Sequence, residues 1–164
     1  MYRVEINQDE ITPALKELAA KLDDMSPIML AIGQNLEHST EERYQRGEAP
    51  DGSAWAPKSQ TTLDAYRRRG QRADPRPLFG TSPSNASLRT SIFATSGPDF
   101  VELGTNAIQA AVMQFGAGKG AFGATSKGSP VPWGDIPARP FLGLSDADEV
   151  AILETVAEAL EDLG

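Results

Sequence analysis

A chain of 164 residues, 40% hydrophobic and 23% charged, is sized for one globular domain with a core of its own. It has no cysteine, which excludes disulfide staples, thiolate metal sites and a cysteine nucleophile. The net charge of −8 disfavours a general duplex-DNA binder, because neutralising phosphates needs a basic face.

Taken in chain order, Tyr2 to Asn7 alternates apolar and polar residues, a short strand signal. The N-terminus lacks a signal-peptide core and no apolar run reaches membrane-spanning length, so a soluble chain made in the cytosol is expected. Thr12-Pro13 opens a helix with an apolar stripe of Ile11, Leu15, Leu18, Leu22 and Met25. Ser26-Pro27 repeats that start signal for a longer helix reaching Arg46 and stopped by Gly47. Ile28, Ile32 and Leu36 set its buried face, and its later half, with Glu37, His38, Glu41, Glu42 and Arg43, reads as polar. A turn-rich loop, Glu48 to Pro57, carries Trp55.

Ser59 is placed to cap a short helix from Gln60 to Arg69, and Gln71 to Pro77 reads as a mobile, basic connection. Ala86 to Phe93 and Phe100 to Leu103 predict an antiparallel hairpin turning at Ser96 to Asp99. Ala107 to Phe115 predicts a short helix, and the glycine-rich stretch from Gly116 to Gly134 a loop that orders only on binding. The extended segment Ile136-Pro137-Ala138-Arg139-Pro140-Phe141-Leu142-Gly143-Leu144-Ser145 follows. Its two prolines fix φ and keep Ile136 and Arg139 out of helical geometry. Ser145 then opens a last helix, to Leu163, with Val150, Leu153, Val156, Leu160 and Leu163 as its apolar stripe and acids on its other face. The fold class is α+β: a small antiparallel sheet against several helices, a long C-terminal helix and extended loops. One domain spans 1–164, with flexible segments at about 70–77 and 116–134.

Charge is segregated. From Asp146 to the C-terminus there are acids and no bases, whereas Lys58, Arg67, Arg68, Arg69, Arg72 and Arg76 face only Asp64 and Asp74 in the middle of the chain. Such separation suits contact between copies or with a charged partner, although each run also reads as a solvated face. For catalysis the chain offers one histidine, His38, beside Glu42 on a polar helix face. That pairing reads as a solvated ion pair before it reads as a dyad, and no G-x-S-x-G elbow accompanies it. The glycine-rich run around Lys119 fails the Walker pattern because no Ser or Thr follows the lysine. No catalytic residue, cofactor or metal site is expected.

The candidate interface residues are Arg67, Arg68, Arg69, Arg72 and Arg76 in the basic arm, with Trp55, Phe115, Arg139, Phe141 and Leu142 as anchors. Trp55 reads first as a plug at the end of the core, and Phe115, Phe141 and Leu142 also fit a core role. Contact is assigned to Arg139, so Arg139→Ala is expected to leave a folded monomer that fails in assembly. The rival reading is a nucleic-acid module gripping through Arg67 to Arg76, distinguished by DNA retardation that weakens steeply with salt. A hydrolase centred on His38 is a third.

Four motifs in order carry a resemblance: Arg46 to Pro57, Leu88 to Ile92 leading to Val101 to Asn106, Gln114-Phe115-Gly116, and Ile136 to Ser145. Together they resemble the phage virion morphogenesis family, the tail-completion or head–tail joining proteins of Mu-like phages and prophages. The chain departs from the family pattern in its looser Pro77 to Leu88 stretch, and where relatives often have an A-x-x-H-x-F-G helix it has Gln114 before Phe115-Gly116 with Met113 nearby. The resemblance implies a non-enzymatic virion protein forming a ring of six copies at the neck, made in the host cytoplasm. Its implied partners are further copies of itself, portal or connector proteins on the head side, tail terminator or tail tube proteins, and DNA in the neck lumen, with no membrane.

Overall fold

A computed structural model describes residue 20 and residues 24–72, 74–80 and 88–161. The expected strand at Tyr2 to Asn7, the helix opened by Thr12-Pro13, the start of the first hairpin strand at Ala86 and the end of the last helix at Leu163 lie outside the described residues.

Helix α1, Ser26–Arg46, begins where the proline signal places it, but Ser26 is not its cap. Met25 is the capping position, and the Asp24 carboxylate accepts the Ser26 N–H at 3.0 Å. At the other end Gly47 takes φ 74°, and the Gly47 and Glu48 N–H groups both reach the Arg43 carbonyl, at 2.9 and 3.1 Å. This is the paired-donor stop that favours glycine. The buried face runs on past Ile32 and Leu36 through Thr40, Arg43 and Tyr44, so the second half of the helix is not a solvated one.

A single 3-10 turn, Leu88–Ser91, leads into β1, Ile92–Ser96, which pairs antiparallel with β2, Val101–Thr105. Ala94 stands opposite Leu103, and the turn closes through the Gly97 N–H to the Phe100 carbonyl at 3.0 Å. The first strand therefore starts later than its sequence suggests. Leu88 is buried, and the Ser91 hydroxyl bonds back to its carbonyl at 2.8 Å, which winds these residues into a turn. Two strands alone are marginal in water. Here α1 packs across them, the Glu37 carboxylate accepts the Ala94 N–H, and Gly33 lets the layers close. A Cβ at Gly33 would stand 3.2 Å from that of Ala94.

Helix α2, Gln60–Arg68, is capped by the Ser59 hydroxyl as expected, buries no residue and lies outside the core. Helix α3, Ala110–Phe115, is shorter than predicted, because Ala107 to Gln109 form a turn. Helix α4, Asp146–Glu161, starts on a reciprocal cap. The Asp148 N–H reaches the Ser145 hydroxyl at 3.2 Å, and the Ser145 N–H reaches the Asp148 carboxylate at 2.8 Å.

The rotation of α4 departs from expectation. Asp148, Ala151, Ile152 and Thr155 turn towards α1, whereas Val150, Leu153 and Leu160 face outward, Leu153 with 69% of its surface exposed. The cause is Arg43, whose pairing with Asp148 turns that one carboxylate, and the side of α4 that carries it, inward.

The stretch after α3 is also more ordered than its glycines suggest. Residues 117–136 run out and back as an irregular hairpin arm, held by Ala117 and Ile136 exchanging hydrogen bonds at 2.9 and 2.7 Å. Further rungs join Gly120 to Pro132, Phe122 to Val131 and Thr125 to Ser129. The Asp135 carboxylate accepts the Lys119 N–H at 2.7 Å. Gly116 is the pivot. Its φ is 74°, and a Cβ there would meet the Ile136 carbonyl at 2.7 Å and the Ala138 nitrogen at 2.8 Å, so only glycine fits.

Candidate functional site

The core gathers Tyr44, Ala49, Trp55, Leu88 and Phe141, with Leu78, Phe79, Met113 and Leu142 packed around it. Tyr44 meets Trp55 and Phe79 edge to face, at 5.2 and 5.4 Å between ring centres. The Tyr44 hydroxyl donates to the Leu78 carbonyl at 2.9 Å, and burial pushes its pKa well above the ordinary phenol value. The stiff segment Ile136 to Ser145 lies across this cluster, hydrogen-bonded at Ile136, from Arg139 to Gly143, and at Ser145.

Phe141 is 1% exposed and sits in the cluster. Trp55 donates its indole N–H to the Pro140 carbonyl at 2.6 Å, which makes it a rivet between the turn-rich loop and the segment. Arg139 is 7% exposed. Its Nε donates to the Ala56 carbonyl at 2.7 Å and its terminal NH2 to the Pro57 carbonyl at 2.9 Å. Burial pulls its pKa down from the ordinary guanidinium value. The two prolines make this geometry cheap, because a segment already extended loses little freedom on docking. Arg139, Trp55 and Phe141 are thus turned into their own chain, and the loop carrying Trp55 and the segment carrying Arg139 are one unit.

Gln114 completes it. Its side-chain oxygen accepts the N–H groups of Phe141 and Leu142 at 3.0 and 3.1 Å, and its Nε2 donates to the Leu142 carbonyl at 2.9 Å. One amide thus satisfies three backbone groups that would otherwise be left without partners near the core. Gln114, at the variable position before Phe115-Gly116, is thus a residue that clamps the segment.

Arg43 and Asp148 form a second fastening, at 2.5 Å with both side chains buried. Arg43 also donates to Ser39 at 2.7 Å, Thr40 at 3.0 Å and the Gly143 carbonyl at 3.0 Å. Its Nε is the one buried side-chain nitrogen or oxygen among the described residues that lacks a hydrogen-bond partner. This knot joins α1, the end of the stiff segment and the first turn of α4. The sequence puts Arg43 among the polar residues of α1, although it stands three positions after Thr40, beside the face that Ile32, Leu36, Thr40 and Tyr44 mark at four-residue spacing. That rhythm was the available signal.

The basic arm is only partly free. Arg67 pairs with Asp64 at 2.9 Å. Arg76 chelates Asp74 and lies 3.8 Å over the Phe79 ring, and its hydrogen bonds hold the Asp74 carboxyl at a pKa of about 2. Lys58 bridges the carbonyls of Asp74 and Phe79 at 2.8 and 2.5 Å, which ties this side of the arm to the core. Arg68, Arg69 and Arg72 are exposed and carry no ion pair among the described residues. His38 lies on the outer surface of α1, 3.4 Å from Glu42.

What remains outward is apolar as well as charged. Phe115 is 79% exposed at the end of α3, and Phe122 and Trp133 stand out from the arm, Trp133 at 66%. Leu142 is half-buried beside an open cavity of about 350 Å³.

The helices, the two-stranded antiparallel sheet and the fastened C-terminal segment define an α+β protein. The phage virion morphogenesis family matches residues 6–161. A Mu-like prophage FluMu G protein 2 of Haemophilus influenzae is 32% identical over 159 residues, covering 96% of this chain and 95% of that protein. No solved structure matches. The chain belongs to the phage virion morphogenesis family, and its role lies in building the phage particle.

Proposed function

We propose that this chain is a non-enzymatic structural protein that assembles into a ring at the head–tail junction and joins the DNA-filled head to the tail. The observation that carries the reading is the match to the family and to a Mu-like prophage protein over nearly the whole chain. Two further features support it. Basic and acidic regions lie far apart along the chain, which suits a head-to-tail contact between copies. Apolar side chains stand exposed on the arm and along α4, where a lone chain gains nothing from them.

In this reading Arg68, Arg69 and Arg72 meet the acidic face of α4 on the neighbouring copy. Trp55, Arg139 and Phe141 hold the surface in shape rather than touch the partner. The nucleic-acid reading has less to stand on, because Arg67 and Arg76 are already paired within the chain. Deleting the gene from an inducible prophage tests the proposal. The lysate should contain DNA-filled heads and separate tails by electron microscopy, with joined particles restored by a plasmid copy. Joined, infectious particles from the deletion strain would sink it.

A further inference from the structure

Two unfilled features lie side by side in this chain. The first is the arm, residues 117–136, whose backbone is hydrogen-bonded to itself while Phe122, Val131 and Trp133 remain exposed. The second is the open cavity between the end of β2, α3 and the stiff segment, lined by Gly104, Ala111, Gln114, Phe141 and Leu142 among others. No residue of the arm lines it. At about 350 Å³ it exceeds the roughly 150 Å³ that admits a benzene ring, so an indole has room there.

The arm springs from the rim of the cavity, since Gly116 follows α3 directly and the return limb leads into Arg139 to Leu142. Knob and hole are therefore different surfaces of one chain, fixed on the same rigid base. That is the arrangement of a heterologous, repeating contact. Charge agrees with it. Lys119 and Lys127 on the arm are exposed and unpaired among the described residues. Asp146 and Glu149, in the first turn of α4 a few residues beyond Leu142, are likewise exposed and unpaired among the described residues. A second copy supplies both halves in matched number.

We infer that the arm of each copy inserts Trp133, with Phe122 and Val131 beside it, into the α3 cavity of the next copy. The inference rests on the ring reading and names the contact that closes it.

Cross-linking tests it, because the chain has no cysteine of its own. Gly134→Cys puts a thiol next to Trp133 at a position with open space around Cβ, and Ala111→Cys puts one in the cavity. With a short bismaleimide the double variant should give a ladder of covalent multimers. The two single variants mixed should give a covalent dimer containing one of each. Adding Trp133→Ala should reduce cross-linking about tenfold or more, the loss of one anchor, with the thermal melt unchanged. Oligomers of wild-type mass without that cross-link, or a cross-link confined to single chains, would overturn the inference and leave the ring standing. A chain that stays monomeric both in solution and in particles would overturn the ring and the inference together.

Discussion

Asp148→Ala should destabilise the protein by about 3–5 kcal/mol, read as a drop in the urea midpoint, because it strands a buried guanidinium. Arg43 is 4% exposed, and it loses its only carboxylate among the described residues. Replacing both partners, Arg43→Met with Asp148→Leu, should cost far less, since no uncompensated charge is then left inside. The pair also dictates a pH dependence. Burial alone would push the Asp148 carboxyl up. The hydroxyls of Ser39 and Ser145, the Ser145 N–H and the charge of Arg43 outweigh it and hold the carboxyl below its usual 3.8. A folded pKa below the unfolded one gives stability that is complete above about pH 4 and is lost as pH falls through the folded value. Acid titration of the wild type should show that loss, and Asp148→Ala should lack it. An unchanged urea midpoint in Asp148→Ala would mean that the pair does not hold α4 in place.

Arg139→Ala should cost about 3 kcal/mol, on the scale of hydrogen bonds made by a charged donor. It removes the donors to Ala56 and Pro57 and leaves both carbonyls facing a cavity. This revises the expectation of a folded monomer that fails only in assembly. Arg139→Lys should recover only part of the loss, because one ammonium cannot reproduce a fork that reaches two carbonyls. Thermal melts of the two variants decide it. Wild-type melting of Arg139→Ala would return Arg139 to the outer surface as a contact residue.

Local signals in the sequence held where one residue decides the outcome. Gly47 ends α1, Ser59 caps α2 and Ser145 opens α4, each through a backbone group within a few positions. What was not legible depended on partners far along the chain. Val150, Leu153 and Leu160 form as good an apolar stripe as Ala151, Ile152 and Val156. The choice between them is made by Arg43, 105 residues before Asp148. The stiffness of Ile136 to Ser145 was plain from its prolines, but the direction in which Arg139 points was not. Its acceptors are two carbonyls of the loop beside Trp55, and a carbonyl leaves no mark in a sequence. The arm was unreadable for the same reason: its rungs are backbone to backbone, made by glycines and small residues that carry no periodic pattern.

The buried fastenings of the stiff segment leave the arm, Arg68, Arg69, Arg72 and the outer face of α4 exposed. The proposed role requires the chain to sit at the joint between head and tail. An affinity tag at the C-terminus, labelled with gold and imaged on intact phage, locates it directly. Label confined to the joint between head and tail is the expected result. Label spread along the tail, over the head or absent from finished particles would contradict it.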